Sequence, residues 1–143
     1  MRGCTPITVR YAETDKMGVV YHANYLLYFE DARTDFLKKI GYPYKLIEDA
    51  GYISPVLNFS VSYGKPLRYG DNVIVRTWIS ESKPMKTTYS YEVFVQGQDL
   101  ERDKPYCTAQ STHCLVEEGT FKPVSIKRAT PKLYELYEQV CER

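Results

Sequence analysis

The chain has 143 residues, with 19 Lys plus Arg against 18 Asp plus Glu and a formal net charge of +1. That length fits a single domain, residues 1–143, with a substantial core. The even balance argues against a dedicated nucleic-acid binder, and no apolar run or signal-peptide pattern points to a membrane or to export, so a cytoplasmic location is expected. Cys4, Cys107, Cys114 and Cys141 form no C-x-x-C pair, which leaves them as reduced thiols rather than a zinc ribbon. No metal site is expected. The 14 tyrosines suit a strand-rich protein, because tyrosine packs well on a pleated surface.

In chain order, residues 7–11 read as a short first strand. A loop follows to Ala23, with Asn24 placed to cap a helix over 25–40 that Gly41 and Pro43 terminate. Tyr25, Phe29, Ala32, Phe36 and Ile40 recur at helical spacing. The start of this helix is apolar nearly all round, which predicts burial on more than one side. A short helix is expected over 44–50.

From there the period changes to two. Leu57, Phe59, Val61 and Tyr63 alternate with Asn58, Ser60 and Ser62, the pattern of a half-buried strand. Further strands are expected over 72–79 and 87–95, and a long one over 106–116 whose mixed faces predict burial on both sides. Thr130 and Pro131 open a terminal helix, with proline at the first position where its missing N–H costs nothing. One long helix against a run of antiparallel strands implies an α+β fold with the sheet wrapped round the helix.

The residues that carry chemistry lie between the first strand and the long helix. Asp15 precedes His22 by seven residues, with Gly18 between them. A helix N-terminus offers free N–H groups and a positive dipole end, which suit a developing oxyanion. An Asp-x-x-Gly string by itself is most often a solvated turn. His113 reads as a structural strand residue, and Glu30 and Asp31 as solvated helix residues.

Thr14, Asp15, Gly18, Val20, His22, Asn24 and Tyr25, with a second segment of Pro55, Phe59, Pro66, Gly70 and Asp71, resemble the hot-dog fold acyl-CoA thioesterases of the 4-hydroxybenzoyl-CoA thioesterase family. The resemblance covers residues 7 to about 116 and is closest to the bacterial branch associated with short acyl-CoA substrates. It implies a hot-dog fold and an acyl-CoA thioester hydrolase that needs no cofactor. By position, Asp15 is then the catalytic carboxylate. The His22 backbone N–H contributes to the oxyanion hole and its imidazole lines the site, while Tyr11 falls where a related branch has a site tyrosine.

The pantetheine arm of coenzyme A is expected beside the strand bearing Asn58, Ser60 and Ser62 in the partner subunit, and its phosphates at Lys65 or Arg68. A carrier-protein thioester is an alternative form of the substrate. The apolar run from Tyr25 to Phe29 and the family resemblance predict a homodimer joined edge to edge, and a homotetramer above it. Two other readings compete: a non-catalytic acyl-binding or assembly module on the same fold, and a hot-dog dehydratase. The loop around His22 lacks the proline pattern of the dehydratases, and an intact Asp15 and His22 disfavour the module.

Overall fold

The computed structural model describes residues 1–143. The chain runs β1 (Gly3–Thr8), α1 (Tyr25–Lys39), α2 (Tyr44–Asp49), β2 (Tyr52–Ile53), β3 (Val56–Tyr63), β4 (Asn72–Ser82), β5 (Thr87–Val95), β6 (Cys107–His113), β7 (Leu115–Glu117), β8 (Pro123–Val124), α3 (Ile126–Ala129) and α4 (Pro131–Val140). Five strands form one antiparallel sheet in the order β1-β4-β5-β6-β3, and β2, β7 and β8 form a small second sheet. The alternation in β4 carries through: Val73, Val75, Thr77 and Ile79 are buried. Its face meets Tyr89, Tyr91 and Val93 of β5 and the apolar stripe of α1.

Helix α1 crosses this surface with aromatic contacts along its length. Phe29 lies 5.6 Å from Phe59 and 4.6 Å from Tyr91, and Phe36 meets Tyr89 edge-on at 6.1 Å. Such pairs add about 0.5–1.5 kcal/mol each beyond the area they bury. Phe29 is fully enclosed, so truncation to alanine would cost about 3–5 kcal/mol. At the far end, α4 buries Leu133 and Tyr137, and the Tyr137 hydroxyl meets that of Tyr89 at 2.9 Å.

The structure moves three boundaries and reverses two local expectations. The first strand is Gly3–Thr8, not 7–11. Gly3 and Pro6 read as strand breakers, yet β1 is an edge strand, where proline is tolerated. Gly3 packs closely there: a Cβ would stand 3.1 Å from the Phe36 ring, so a larger residue would push that ring aside by a few tenths of an ångström. The strand expected over 72–79 continues to Ser82 across an irregularity between Ile79 and Glu81.

The strand expected over 106–116 breaks at Cys114, whose carbonyl takes the Ser54 hydroxyl while its N–H turns to Pro55. Its first part, β6, is not covered on both faces: Cys107, Ala109, Ser111 and His113 are buried, and Thr108 and Gln110 are exposed. Asn24 does not cap α1 with its side chain. It has helical dihedrals, and its amide nitrogen donates instead to the Glu13 carbonyl at 2.9 Å. No helix is long and apolar enough to cross a membrane.

Candidate active site

After β1, buried Val9 bonds to the loop at Gly70 and Asp71, and the chain makes one 3-10 turn over Tyr11–Glu13. A small hairpin follows. The Tyr21 N–H donates to the Glu13 carbonyl at 2.9 Å, Thr14 bridges Val20, and the Asp15 N–H donates to the Val19 carbonyl at 2.9 Å. Gly18 closes the tip with φ +78° and its N–H on the Asp15 carbonyl, a conformation that favours glycine. The Asp15 carboxylate accepts the Met17 N–H at 2.8 Å through Oδ1, which leaves Oδ2 without a protein donor. One oxygen thus fixes the side chain and the other is available.

The hairpin's second arm rests on the loop after β3. Val19 bridges Arg68, and the Val20 N–H donates to the Leu67 carbonyl at 2.8 Å. The chain then enters α1 through a second 3-10 turn, His22–Asn24. The N–H groups of His22 and Ala23 find no acceptor within the chain. They are free donors at the positive end of α1, the requirement for an oxyanion site. The His22 carbonyl accepts the Tyr63 hydroxyl at 2.8 Å, and its ring lies 4.4 Å from that of Tyr21.

Asp15 and His22 therefore share one short hairpin unit. Tyr11 is 75% exposed and packs edge-on against Tyr69 at 5.7 Å, at the rim of that unit. Asn58, Ser60 and Ser62 point away from α1. Phe59 takes the helix side, and Ser60 and Ser62 line an outer groove of about 370 Å³ with Trp78, Thr108 and Gln110. Arg68 is brought to the hairpin by its backbone bridge to Val19. Lys65 turns to another cleft, 5.6 Å over the Tyr106 ring. No cluster of three or more His, Cys, Asp or Glu side chains is arranged to hold a metal ion.

Two features were invisible in the sequence. The first is Glu13, only 7% exposed, whose carboxylate accepts the Tyr28 hydroxyl and the Arg10 N–H at 2.8 Å each and the Arg10 Nε at 3.2 Å. Burial pushes this carboxyl up, but the Arg10 amide, the Tyr28 hydroxyl and the Arg10 guanidinium outweigh it and hold it below the usual range. In the sequence it is only an acid three residues after Arg10 and two before Asp15, and a charged residue in a loop reads as solvated.

The second is a polar chain beneath α1. Arg33 donates to the Tyr91 hydroxyl at 3.0 Å, which meets Ser111 at 2.6 Å, which meets His113 Nε2 at 2.7 Å. Arg33 and His113 line a cavity of about 190 Å³ between α1 and α2. Burial, with Arg33 nearby, pushes His113 down to about 3, so it is a neutral structural imidazole.

A five-stranded antiparallel sheet curled on one long helix defines the hot-dog class of proteins. The sequence profile of the thioesterase-like superfamily matches residues 9–135, and the chain belongs to that family. It is 41% identical over 133 residues to the putative acyl-CoA thioesterase YneP of Bacillus subtilis, covering 93% of each chain. It is 31% identical over 130 residues to the acyl-CoA thioesterase YbgC of Helicobacter pylori, covering 89% of this chain and 92% of that one. Among solved structures it resembles a DHNA-CoA thioesterase from Staphylococcus aureus, with a TM-score of 0.89 at 38% identity over 96% of this chain and 89% of that one.

Proposed function

We propose that the protein hydrolyses acyl-CoA thioesters to the free acid and coenzyme A, with Asp15 as the catalytic carboxylate and the His22 N–H as an oxyanion donor. One observation carries this reading: a single hairpin holds a carboxylate with a free oxygen beside a helix start whose first N–H groups are unpaired. The thioester carbonyl gains negative charge as it is attacked, and fixed N–H donors favour that charge more in the transition state than before it. If water attacks, its proton passes to Asp15 Oδ2 and the C–S bond breaks to release the thiolate, which is then protonated. If Asp15 attacks, a mixed anhydride forms as the C–S bond breaks, the thiolate leaves and is protonated, and water then opens the anhydride to give the free acid and restore Asp15. Both routes use the one free oxygen.

The assembly that fits this site is a homodimer, with a homotetramer above it. Strand β3 is an edge strand of eight residues with Val56, Leu57 and Tyr63 exposed, and Leu26 and Leu27 of α1 are exposed as well. Pairing of β3 with its copy removes an open edge and covers apolar surface. Such pairing puts Tyr63, and through it the His22 turn, at the subunit boundary. Pantetheine then runs beside Asn58 to Ser62 and the nucleotide phosphates meet Arg68 or Lys65. The cytoplasm is the proposed location.

The test is release of free thiol from acyl-CoA esters graded in chain length and aromaticity. Turnover of any of them supports the reading. A folded protein that binds acyl-CoA without releasing thiol would make it an acyl-binding module instead.

A further inference from the structure

We propose that Glu13 is a positioning residue that sets the oxyanion donors of the His22 turn relative to Asp15, acting through Tyr28. The inference rests on the catalytic reading of Asp15 and His22.

Glu13 works with two different groups at once. Its backbone carbonyl accepts from the Tyr21 N–H and from Asn24 Nδ2, both at 2.9 Å. These two donors flank His22 and Ala23, so one carbonyl pins both ends of the turn that carries the free N–H groups. Its carboxylate Oε1 accepts from the Arg10 N–H and the Tyr28 hydroxyl, both at 2.8 Å. Those contacts fix the residue to Arg10, two residues past the end of β1, on one side and to the first turn of α1 on the other.

Asp15 lies two residues further on, across the Thr14–Val20 bridge. The carboxylate and the oxyanion donors are thus both referred to Glu13, and neither contacts the substrate through it. Tyr28 is buried, and its hydroxyl has Glu13 as its partner. A buried carboxylate held by the Arg10 N–H and guanidinium and by the Tyr28 hydroxyl is an expensive way to hold a loop, since an apolar staple would hold it with no desolvation cost. What the carboxylate adds is direction, because hydrogen bonds fix an orientation that apolar contact does not. Misplacing reacting groups by about 1 Å can cost about 10²-fold in rate.

The experiment measures kcat and KM per folded molecule, and the amide resonances of His22 and Ala23, in the full-length protein and its Tyr28→Phe, Glu13→Gln and Glu13→Ala variants. Tyr28→Phe and Glu13→Ala should each lower kcat about tenfold to a hundredfold with KM unchanged, and should shift the His22 amide. A Glu13→Ala/Tyr28→Phe double variant, measured alongside, should be no slower than Glu13→Ala, because loss of the carboxylate already removes the partner of the Tyr28 hydroxyl. Glu13→Gln, whose amide oxygen can keep both buried bonds, should recover most of the rate.

Unchanged kcat in both truncations, additive losses, or a rise in KM in place of a fall in kcat would overturn the proposal. Should Glu13→Ala not fold, Tyr28→Phe carries the test, since it deletes one hydroxyl. In a protein that hydrolysed no thioester the catalytic reading would fall by itself. A moved His22 amide in Tyr28→Phe would still support the link, and an unmoved one would overturn it.

Discussion

The hydroxyl of Tyr63, the last residue of β3, donates to the backbone carbonyl of His22 at 2.8 Å. This bond joins the exposed edge of the main sheet to the turn that opens α1. It places the proposed dimer edge and the proposed oxyanion donors one side chain apart. The Tyr63 ring also meets Tyr25 edge-on at 5.1 Å, so the contact is braced by the helix itself. Assembly and catalysis should therefore be coupled in this protein.

Asp15→Asn should lower turnover by at least about 10²-fold, the lower end for a lost acid–base group. The side chain is only partly buried and accepts one backbone N–H, which an Asn oxygen can replace. The variant should therefore keep its circular dichroism spectrum and unfolding midpoint. Near-normal thiol release from that folded variant would remove Asp15 from the mechanism.

Leu57→Asp should weaken self-association. Leu57 is 59% exposed on the edge strand, so the change costs the isolated subunit little while placing two charges in a symmetric interface. Sedimentation velocity at micromolar concentration should show a dimer or larger for the natural chain and a smaller species for the variant, with reduced activity. A fully active monomeric natural chain would refute the edge-to-edge assembly.

Replacement of Lys65 and Arg68 together by alanine should raise KM for acyl-CoA, more so at low salt, and leave kcat nearly unchanged. Only Arg68 is tied to the hairpin, through Val19, whereas Lys65 lies over Tyr106. The single Arg68→Ala variant should therefore account for most of the effect. An unchanged KM in the double variant would move the nucleotide site elsewhere on the surface.

His113 should make the fold sensitive to acid. Its folded value lies near 3, well below its ordinary 6.5, so the unfolded chain takes up a proton that the native chain refuses. The stabilisation is complete above about pH 6.5 and is lost as pH falls towards 3, at up to about 1.4 kcal/mol per pH unit. Denaturation midpoints measured between pH 7 and 4 should fall less steeply in His113→Gln than in the natural chain. The His113 ring resonances should also stay at their neutral positions to pH 4; titration near 6.5 would show that the imidazole is not held neutral.

Much of this protein is determined by local pattern. The bounds of β3 and β5, and α1 to within a residue, follow from side-chain period and from the glycine and proline stops. Asp15, Gly18 and His22 can be picked out because they lie in a short, continuous segment, but their spacing alone describes a turn, and the roles proposed for them come from the family resemblance. Three things required the tertiary structure. The first strand could be placed only once β4 supplied a partner for a sequence containing Gly3 and Pro6, because edge position excuses residues that local propensity rejects. Asn24 has the chemistry of a helix cap, and only the folded hairpin offered its amide the competing Glu13 carbonyl. Glu13 itself gives no sign in sequence of being buried, because the donors that make its burial tolerable come from Arg10 and from Tyr28, fifteen residues away on a helix. Side-chain period reports which face of an element is apolar, whereas the partners of a buried charge depend on which elements the fold brings together.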